Sequence, residues 1–243
     1  LLWTNVRRGE SEMGKGKISA SMMCAGLDQI FYYLTEFKKA NLEFLHIDIM
    51  DGDFVPNFAL GTDFVRSLRR ISDIPFDFHF LVNNPLEKMT WFDMREGDQV
   101  AFHYENNEQI VECLDFLKRR GVSSLIAINP ETDYHVLDAY LDDIDGILVM
   151  TVHPGFAGKK LIPYTIEKVR KMKEYYTSLG KDEIFLEVDG NISIKNAEIL
   201  YNAGAEVFVA GSSSLFKKGE DALPDIIAEK RSVIGWSECE IYK

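Results

Sequence analysis

From residue 18 onward the chain alternates two hydrophobic patterns. Short runs rich in β-branched and aromatic residues, bounded by turn formers, read as buried strands; longer runs with apolar positions three and four apart read as amphipathic helices. The strands fall at Ile18 to Met23, Phe44 to Ile49, Phe76 to Leu81, Gln99 to His103, Ser124 to Ile128, Gly146 to Met150, Ile184 to Val188 and Glu206 to Val209. Helices are expected at about Asp28 to Ala40, Thr62 to Ile71, from Pro85, from Asn106, at Asp133 to Leu141, Ile162 to Leu179, Ser193 to Ala203 and Ala222 to Arg231. Pro85 suits a first helical position, where its missing N–H is not needed. Asn106-Asn107-Glu108-Gln109 has the form of a capping box, and Arg119-Arg120-Gly121 and Gly204 read as helix stops. About eight β/α units is the count that closes a (β/α)8 TIM barrel. A doubly wound open sheet is the competing architecture, but the first strand–helix turn carries no Gly-x-Gly-x-x-Gly fingerprint.

Polar residues interrupt these strands in pairs: His46-Ile47-Asp48, Asp77-Phe78-His79 and Glu187-Val188-Asp189. Strand side chains alternate faces, so each pair points to one side while its apolar neighbour points to the other. Buried carboxylates and imidazoles are costly unless paired or bound to a metal. Three pairs near the C-terminal ends of their strands, where barrels carry their active sites, point to one site. His46, Asp48, His79 and Asp189 form a mixed N/O donor set suited to Zn²⁺ and also to Fe²⁺, Mn²⁺ or Co²⁺. Asp77 and Glu187 lie two residues earlier on the same faces and would orient those ligands. A hydrogen-bonded network without metal is the alternative reading. His103, followed by Glu105, reads equally as a satisfied structural pair or as part of the site. Ser21, Asn129 and His153 also fall at strand ends.

A second constellation lies in the loops after strands six, seven and eight: Pro154-Gly155-Phe156-Ala157-Gly158, Gly190-Asn191 and Gly211-Ser212-Ser213. Glycines at loop-to-helix junctions let backbone N–H groups close around a phosphate. Met50 and Met150 each close a strand beside the donor set, a position that ordinary packing also explains.

Composition narrows the classes. The chain has 243 residues, 46% of them hydrophobic, enough for a full core. A net charge of −12 argues against nucleic acid or an anionic membrane as partner. Cys24, Cys113 and Cys239 show no paired spacing and fit a reducing, cytoplasmic setting. No apolar run is long enough to span a membrane, and Leu1-Leu2-Trp3 is too short for a signal sequence. Residues 1–17 read as an extension, with Met13 a conceivable alternative start; 18–235 read as one barrel domain and 236–243 as a tail.

The motifs together resemble one family. His46-Ile47-Asp48-Ile49-Met50-Asp51-Gly52 followed by Phe54-Val55-Pro56-Asn57, with Asp77-Phe78-His79, Met150-Thr151-Val152, Pro154-Gly155-Phe156, Glu187-Val188-Asp189-Gly190 and Ala210-Gly211-Ser212, is similar to the ribulose-phosphate 3-epimerases over about residues 18 to 216. Ser21-Met22-Met23-Cys24, Asn129-Pro130-Glu131-Thr132 and Pro154-Gly155-Phe156-Ala157-Gly158 look closer to the branch acting on D-allulose 6-phosphate. The resemblance implies a barrel of the ribulose-phosphate-binding type with one divalent metal, Zn²⁺ foremost, among His46, Asp48, His79 and Asp189. It places a substrate-contacting serine at Ser21, and methionines over an enediolate at Met50 and Met150. Phosphate contacts would come from Gly155, Ala157, Gly158, Gly190, Asn191, Gly211 and Ser212. The implied reaction inverts C3 of a ketose phosphate, ribulose 5-phosphate to xylulose 5-phosphate, or allulose 6-phosphate to fructose 6-phosphate. Asp48 and Asp189 would serve as base and acid, and the protein would be a homo-oligomer, dimer or hexamer.

Leu81 stands where many members carry methionine, Asn191 replaces a usual glycine and Ala157 another, which bears on substrate preference. A metal-dependent hydrolase would need His-x-His where Ser19-Ala20-Ser21 stands. A Schiff-base aldolase would need a strand lysine where Met150 stands, and orotidine-phosphate decarboxylases or hexulose-phosphate synthases an Asp-x-Lys-x-x-Asp string. A non-catalytic sugar-phosphate sensor is the remaining rival.

Overall fold

The computed structural model describes residues 14–105, 107–216 and 223–241. Eight strands, β1 (Lys17–Ser21), β2 (Phe44–Asp51), β3 (Phe76–Leu81), β4 (Gln99–His103), β5 (Ser123–Ile128), β6 (Gly146–Met150), β7 (Phe185–Asp189) and β8 (Val207–Ala210), each pair in parallel with the next. β1 also pairs with β8, which closes the sheet into the expected barrel. The helices are α1 (Ile30–Lys39), α2 (Thr62–Ile71), α3 (Pro85–Met89), α4 (Ile110–Lys118), α5 (Tyr164–Ser178), α6 (Ile194–Asn202), α7 (Leu223–Val233) and α8 (Glu238–Ile241).

Strand alternation divides the hydrophobic mass. Outward residues such as Leu45, Ile47, Phe76, Phe78, Phe80, Val100, Phe102, Ile126, Val149 and Phe208 fill the layer between sheet and helices. Inward residues split the barrel interior. Ala101, Leu125, Ala127, Leu148 and Met150 on β4 to β6 make an apolar wall, whereas β1, β2, β3 and β7 turn Ser19, His46, Asp48, Asp77, His79 and Glu187 inward, all buried. The register sets His46 beside Asp77 and Asp48 beside His79.

Several elements depart from the pattern-based expectation. β1 ends at Ser21 rather than Met23, because Met22–Cys24 turns into a 3-10 helix closed by the Ala25 N–H on the Met22 carbonyl, 3.2 Å. A two-residue strand, Phe58–Ala59, folds back antiparallel on Met50 and Asp51. The helix expected at Asp133 to Leu141 is a 3-10 turn over Tyr134–Leu137, continued by three-residue turns. Asp138, Asp142 and Asp143 crowd what would be its C-terminal end, where the helix dipole disfavours carboxylates. α4 begins at Ile110; Asn106 lies outside the described residues, and Asn107 Oδ1 accepts from the Gln109 N–H at 3.0 Å in place of a capping box.

At the opposite end of the barrel from the polar layer, Arg231 on α7 ties three segments together. It donates to the carbonyls of Ala40 (2.7 Å) and Asn41 (3.0 Å) and to Glu43 Oε1 (2.8 Å). Glu43 Oε2 in turn accepts from the Ile18 N–H at 2.9 Å. Trp236 stacks under the guanidinium and donates to the Gly16 carbonyl at 2.8 Å. Residues 236–241, read from sequence as tail, thus carry α8, which contacts α7 and pairs Glu240 with Lys15. Residues 1–13, Met13 and Leu1-Leu2-Trp3 among them, lie outside the described residues, as do residues 217–222 and 242–243.

Replacing Arg231 with Met strands Glu43 in a largely buried position and removes two carbonyl caps. The expected cost is roughly 3 kcal/mol, read as a drop in the urea midpoint at unchanged slope; an unchanged midpoint would contradict the role given to this side chain.

Candidate active site

Three strands deliver the polar cluster. The in-register pairs place Asp48 Oδ1 3.2 Å from His46 Nε2 and 3.3 Å from His79 Nδ1. Asp189 Oδ2, from β7, lies 4.0 Å from His46 Nε2 and 3.8 Å from His79 Nδ1. One donor atom from each of these four residues falls within 4.8 Å of every other. Both imidazoles are fully buried, while Asp189 keeps part of its side chain open to the mouth.

Behind this set the chain supplies hydrogen-bond partners for most of the buried polar atoms. His46 Nδ1 pairs with Asp77 Oδ2 at 2.6 Å, and Ser19 Oγ donates to the same oxygen at 2.6 Å. Gln99 Nε2 donates to Glu187 Oε2 at 2.7 Å. Asp77 Oδ1 and Glu187 Oε1 have no other partner. Burial, together with the charge of Asp77, pushes Glu187 well above the usual carboxylate range. On the far side His79 Nε2 meets His103 Nε2 at 3.0 Å, and His103 Nδ1 meets Glu105 Oε2 at 2.9 Å.

The two mouth carboxylates differ sharply. Burial works against ionisation of Asp48, but the charge and hydrogen bond of His46 outweigh it and hold the carboxyl well below the usual range. Burial, reinforced by the negative charges of Asp48 and Asp77, pushes Asp189 up to about 7. Asp77, opposed by burial but held by His46, sits at about 2. Burial would strip His46 of its proton, yet Asp77 and Asp48 raise it well above the ordinary imidazole value; burial leaves His79 and His103 below it.

A cavity opens above the cluster, lined by Ser21, Asp48, Met50, Leu81, Met150, Asp189 and the loops Pro154–Lys159, Gly190–Asn191 and Gly211–Ser213. The structure thus gathers every residue expected at the metal and substrate positions either on this cavity or directly beneath it. Ser21 Oγ donates to Asp48 Oδ2 at 3.2 Å. Gly190, at φ +119°, leaves no room for a Cβ, which would lie 2.9 Å from the Val152 backbone nitrogen. Asn191 takes a left-handed conformation, φ 55°, that asparagine tolerates, and its Nδ2 donates to the Lys159 carbonyl at 2.7 Å. Asn57 Nδ2 crosses the mouth to the Gly155 carbonyl at 2.7 Å.

Two sequence candidates fall elsewhere. His153 is exposed and pairs with Glu131 at 3.2 Å, since its side chain leaves the barrel with the loop. Asn129 contributes its backbone N–H to Glu105 Oε1, 2.8 Å, not a side chain to the cavity. Sequence reasoning passed over Met23, Cys24 and Lys159 as lining residues. Lys159 is the one basic side chain on the cavity among the described residues; its position directly after Gly158 was the available signal. Ser19 and Gln99 were also passed over, though strand alternation from Ser21 and His103 placed both on inward faces.

The donor set suits a divalent metal. Tetrahedral Zn²⁺ with ligand bonds of about 2.0 Å needs donors roughly 3.3 Å apart, and Asp48 Oδ1 stands 3.2 and 3.3 Å from the two imidazole nitrogens. The outer nitrogen of each ring already has a partner, as ligating histidines require.

Comparison with known proteins is consistent across sequence and structure. The sequence model described as the Ribulose-phosphate 3 epimerase family matches residues 17–216. The ribulose-phosphate 3-epimerase of Chlamydia muridarum is 36% identical over 202 residues, spanning 83% of this chain and 88% of the relative. Those of Chlamydia pneumoniae (33% over 216 residues; 88% and 92%) and Methanocaldococcus jannaschii (34% over 205 residues; 84% and 86%) are similar over comparable spans. Among solved structures, N-(5'-phosphoribosyl)anthranilate isomerase from Pyrococcus furiosus shares the fold at a TM-score of 0.59 and 12% identity, covering 90% of this chain and 98% of its own.

A divalent ion held by these four donors would compete with protons on them: burial pushes Asp189 up to about 7, and Asp77 and Asp48, against burial, raise His46 well above the ordinary imidazole value. Zn²⁺ affinity of the metal-free protein should therefore rise steeply with pH through 7, by about tenfold per pH unit for each proton released. Calorimetric titration in buffers of different ionisation enthalpy checks this; binding with no proton release at pH 6 would contradict it.

Proposed function

We propose that Asp48 and Asp189 carry the proton transfers of this carbohydrate epimerase, which belongs to the ribulose-phosphate 3-epimerase family and whose relatives support epimerisation of ribulose 5-phosphate. The observation that carries this reading is the meeting of these two carboxylates, from β2 and β7, at one cavity floor with opposite proton affinities.

Inverting a carbon next to a carbonyl requires removal of its proton and return of one to the opposite face. An ionised carboxylate is needed on one side of the planar intermediate and a protonated one on the other, with the roles exchanged for the reverse reaction. Without the ion, Asp48 is held well below the usual carboxylate range and Asp189 is pushed up to about 7, which favours Asp48 as the base and Asp189 as the acid. With the ion bound, Asp189 would keep one oxygen for ligation and the other for the transferred proton. His46, Asp48, His79 and Asp189 would hold the divalent ion, Zn²⁺ in our reading. When bound, it supplies charge stabilisation to the enediolate oxygens, worth several kcal/mol. The hydrogen bond from Ser21 to Asp48 steadies that carboxylate and supports reading Ser21 as a substrate contact. Met50 and Met150 close the cavity walls with apolar surface that keeps water from the carbanion-like centre.

The phosphate is assigned to the loops carrying Gly155, Ala157, Gly158, Gly190, Asn191, Gly211 and Ser212. The Asn191–Lys159 bond supports this by joining two of them, and Ser193 caps α6 at the same rim. D-Allulose 6-phosphate is the alternative substrate, favoured by Met23 and Cys24, which line the cavity in the string closest to that branch. Homo-oligomerisation, as dimer or hexamer, is part of the reading and is supported by exposed Leu27, Phe31 and Phe58. The free cysteines support a cytoplasmic location; among the described residues no helix is long and apolar enough to cross a membrane.

Assay of the metal-loaded protein with D-ribulose 5-phosphate and D-allulose 6-phosphate tests the function; the higher kcat/KM names the substrate. Asp48→Asn and Asp189→Asn should each lower kcat by at least ~10²–10⁴-fold, with smaller change in KM. Wild-type rates in either variant would overturn the assignment, and phosphosugar binding without turnover by the wild type would restore the sensor reading.

A further inference from the structure

His103 and Glu105 lie outside the four donor residues, yet they continue the cluster in one direction. His79 Nδ1 faces Asp48 and Asp189, and its Nε2 meets His103 Nε2 at 3.0 Å. His103 Nδ1 meets Glu105 Oε2 at 2.9 Å. The other oxygen of Glu105 accepts from the Asn129 N–H at 2.8 Å and from the Thr132 hydroxyl. The loop presenting those donors is itself pinned by Lys168, whose Nζ donates to the carbonyls of Asn129 (2.8 Å), Pro130 (3.2 Å) and Thr132 (2.6 Å). Phe54 covers the His103 ring at 4.7 Å, and His103 is buried.

Each hydrogen bond in this line needs one donor and one acceptor, so its polarity is decided at one end. Glu105 is an acceptor at both oxygens: burial opposes its ionisation, but hydrogen bonds to His103, Thr132 and the Asn129 N–H hold its carboxyl at about 2, and a carboxylate only accepts. A neutral His103 must therefore present Nδ1–H to Glu105 and leave its Nε2 as a bare lone pair. His79 must then donate from Nε2, which leaves the lone pair of its Nδ1 aimed at Asp48 and Asp189. The reverse polarity would set the bare Nδ1 of His103 2.9 Å from Glu105 Oε2, which has no other donor among the described residues; the polarity adopted sets the His79 lone pair 3.3 Å from Asp48 Oδ1, which has His46 Nε2 at 3.2 Å instead.

We propose that Glu105, acting through His103, is a positioning residue that fixes His79 in the tautomer able to ligate the metal before any metal arrives. The same wiring holds the His79 ring in place, since Nε2 has one acceptor within reach. The inference rests on the reading of His79 as a ligand, but it makes a statement about the metal-free protein that does not depend on turnover.

Imidazole ¹⁵N NMR of the full-length chain, metal-free and then titrated with Zn²⁺, tests it. His79 is expected to be protonated at Nε2 in both states, with Nδ1 bare before Zn²⁺ and metal-bound after, and His103 protonated at Nδ1. Metal-free His79 protonated at Nδ1 would overturn the proposal. In Glu105→Gln, the amide cannot accept on both oxygens' positions, so the His79 tautomers should mix and the Zn²⁺ dissociation constant should rise about 10–100-fold. Unchanged tautomer and affinity in that variant would overturn it equally. Should the variant fail to fold, the wild-type spectrum alone decides. Absent turnover with the expected tautomer would count against the epimerase reading only, whereas the opposite tautomer counts against this inference whatever the turnover.

Discussion

Charge buried inside a barrel is the constraint around which this protein is arranged. Asp48, Asp77, Glu187 and Asp189 share the interior with His46, His79 and His103, all buried or nearly so. Any of them alone there would cost several kcal/mol. The parallel register removes that cost by bringing complementary groups together: His46 opposite Asp77, Asp48 opposite His79. The 2.6 Å contact between His46 Nδ1 and Asp77 is the keystone. It occupies one face of the imidazole and thereby aims the other, Nε2, toward the mouth. Ser19, Gln99 and Glu187 complete the shell on that side, while His103 and Glu105 do so on the other.

This arrangement also separates the two mouth carboxylates chemically. Asp48 lies against both imidazoles and stays ionised; Asp189, farther from them and next to like charges, holds its proton to near pH 7. A pair of identical side chains with opposed proton affinities is what an inversion through a planar intermediate requires. The apolar wall of Ala101, Leu125, Ala127 and Leu148 on the facing strands keeps that difference from being averaged away by water.

The barrel was legible because strand patterning and glycine punctuation are local. Phe76 to Leu81, Gln99 to His103, Gly146 to Met150 and Thr62 to Ile71 match the observed elements end to end. The cluster was legible because period-two alternation places His46 and Asp48, or Asp77 and His79, on one face without reference to anything distant. What escaped depends on contacts between strands or on loop geometry. The partnership of Ser19 with Asp77 and of Gln99 with Glu187 requires the closed barrel. The loss of the helix at Asp133 to Leu141 follows from carboxylates at its end that a hydrophobic pattern ignores. The exit of His153 to solvent follows from the turn after β6, and the Phe58–Ala59 hairpin from a pairing two residues long. His103 could be read either way until its two nitrogens had named partners.

The central claim is that Asp48 and Asp189 act from opposite sides of the same carbon. Solvent deuterium entry at C3, followed by NMR in each Asp→Asn variant starting separately from D-ribulose 5-phosphate and D-xylulose 5-phosphate, measures this directly. The account predicts that each variant exchanges the C3 proton of one epimer without inverting it, and that the two variants select opposite epimers. Exchange of the same epimer by both variants, or inversion as fast as exchange in either, would contradict it.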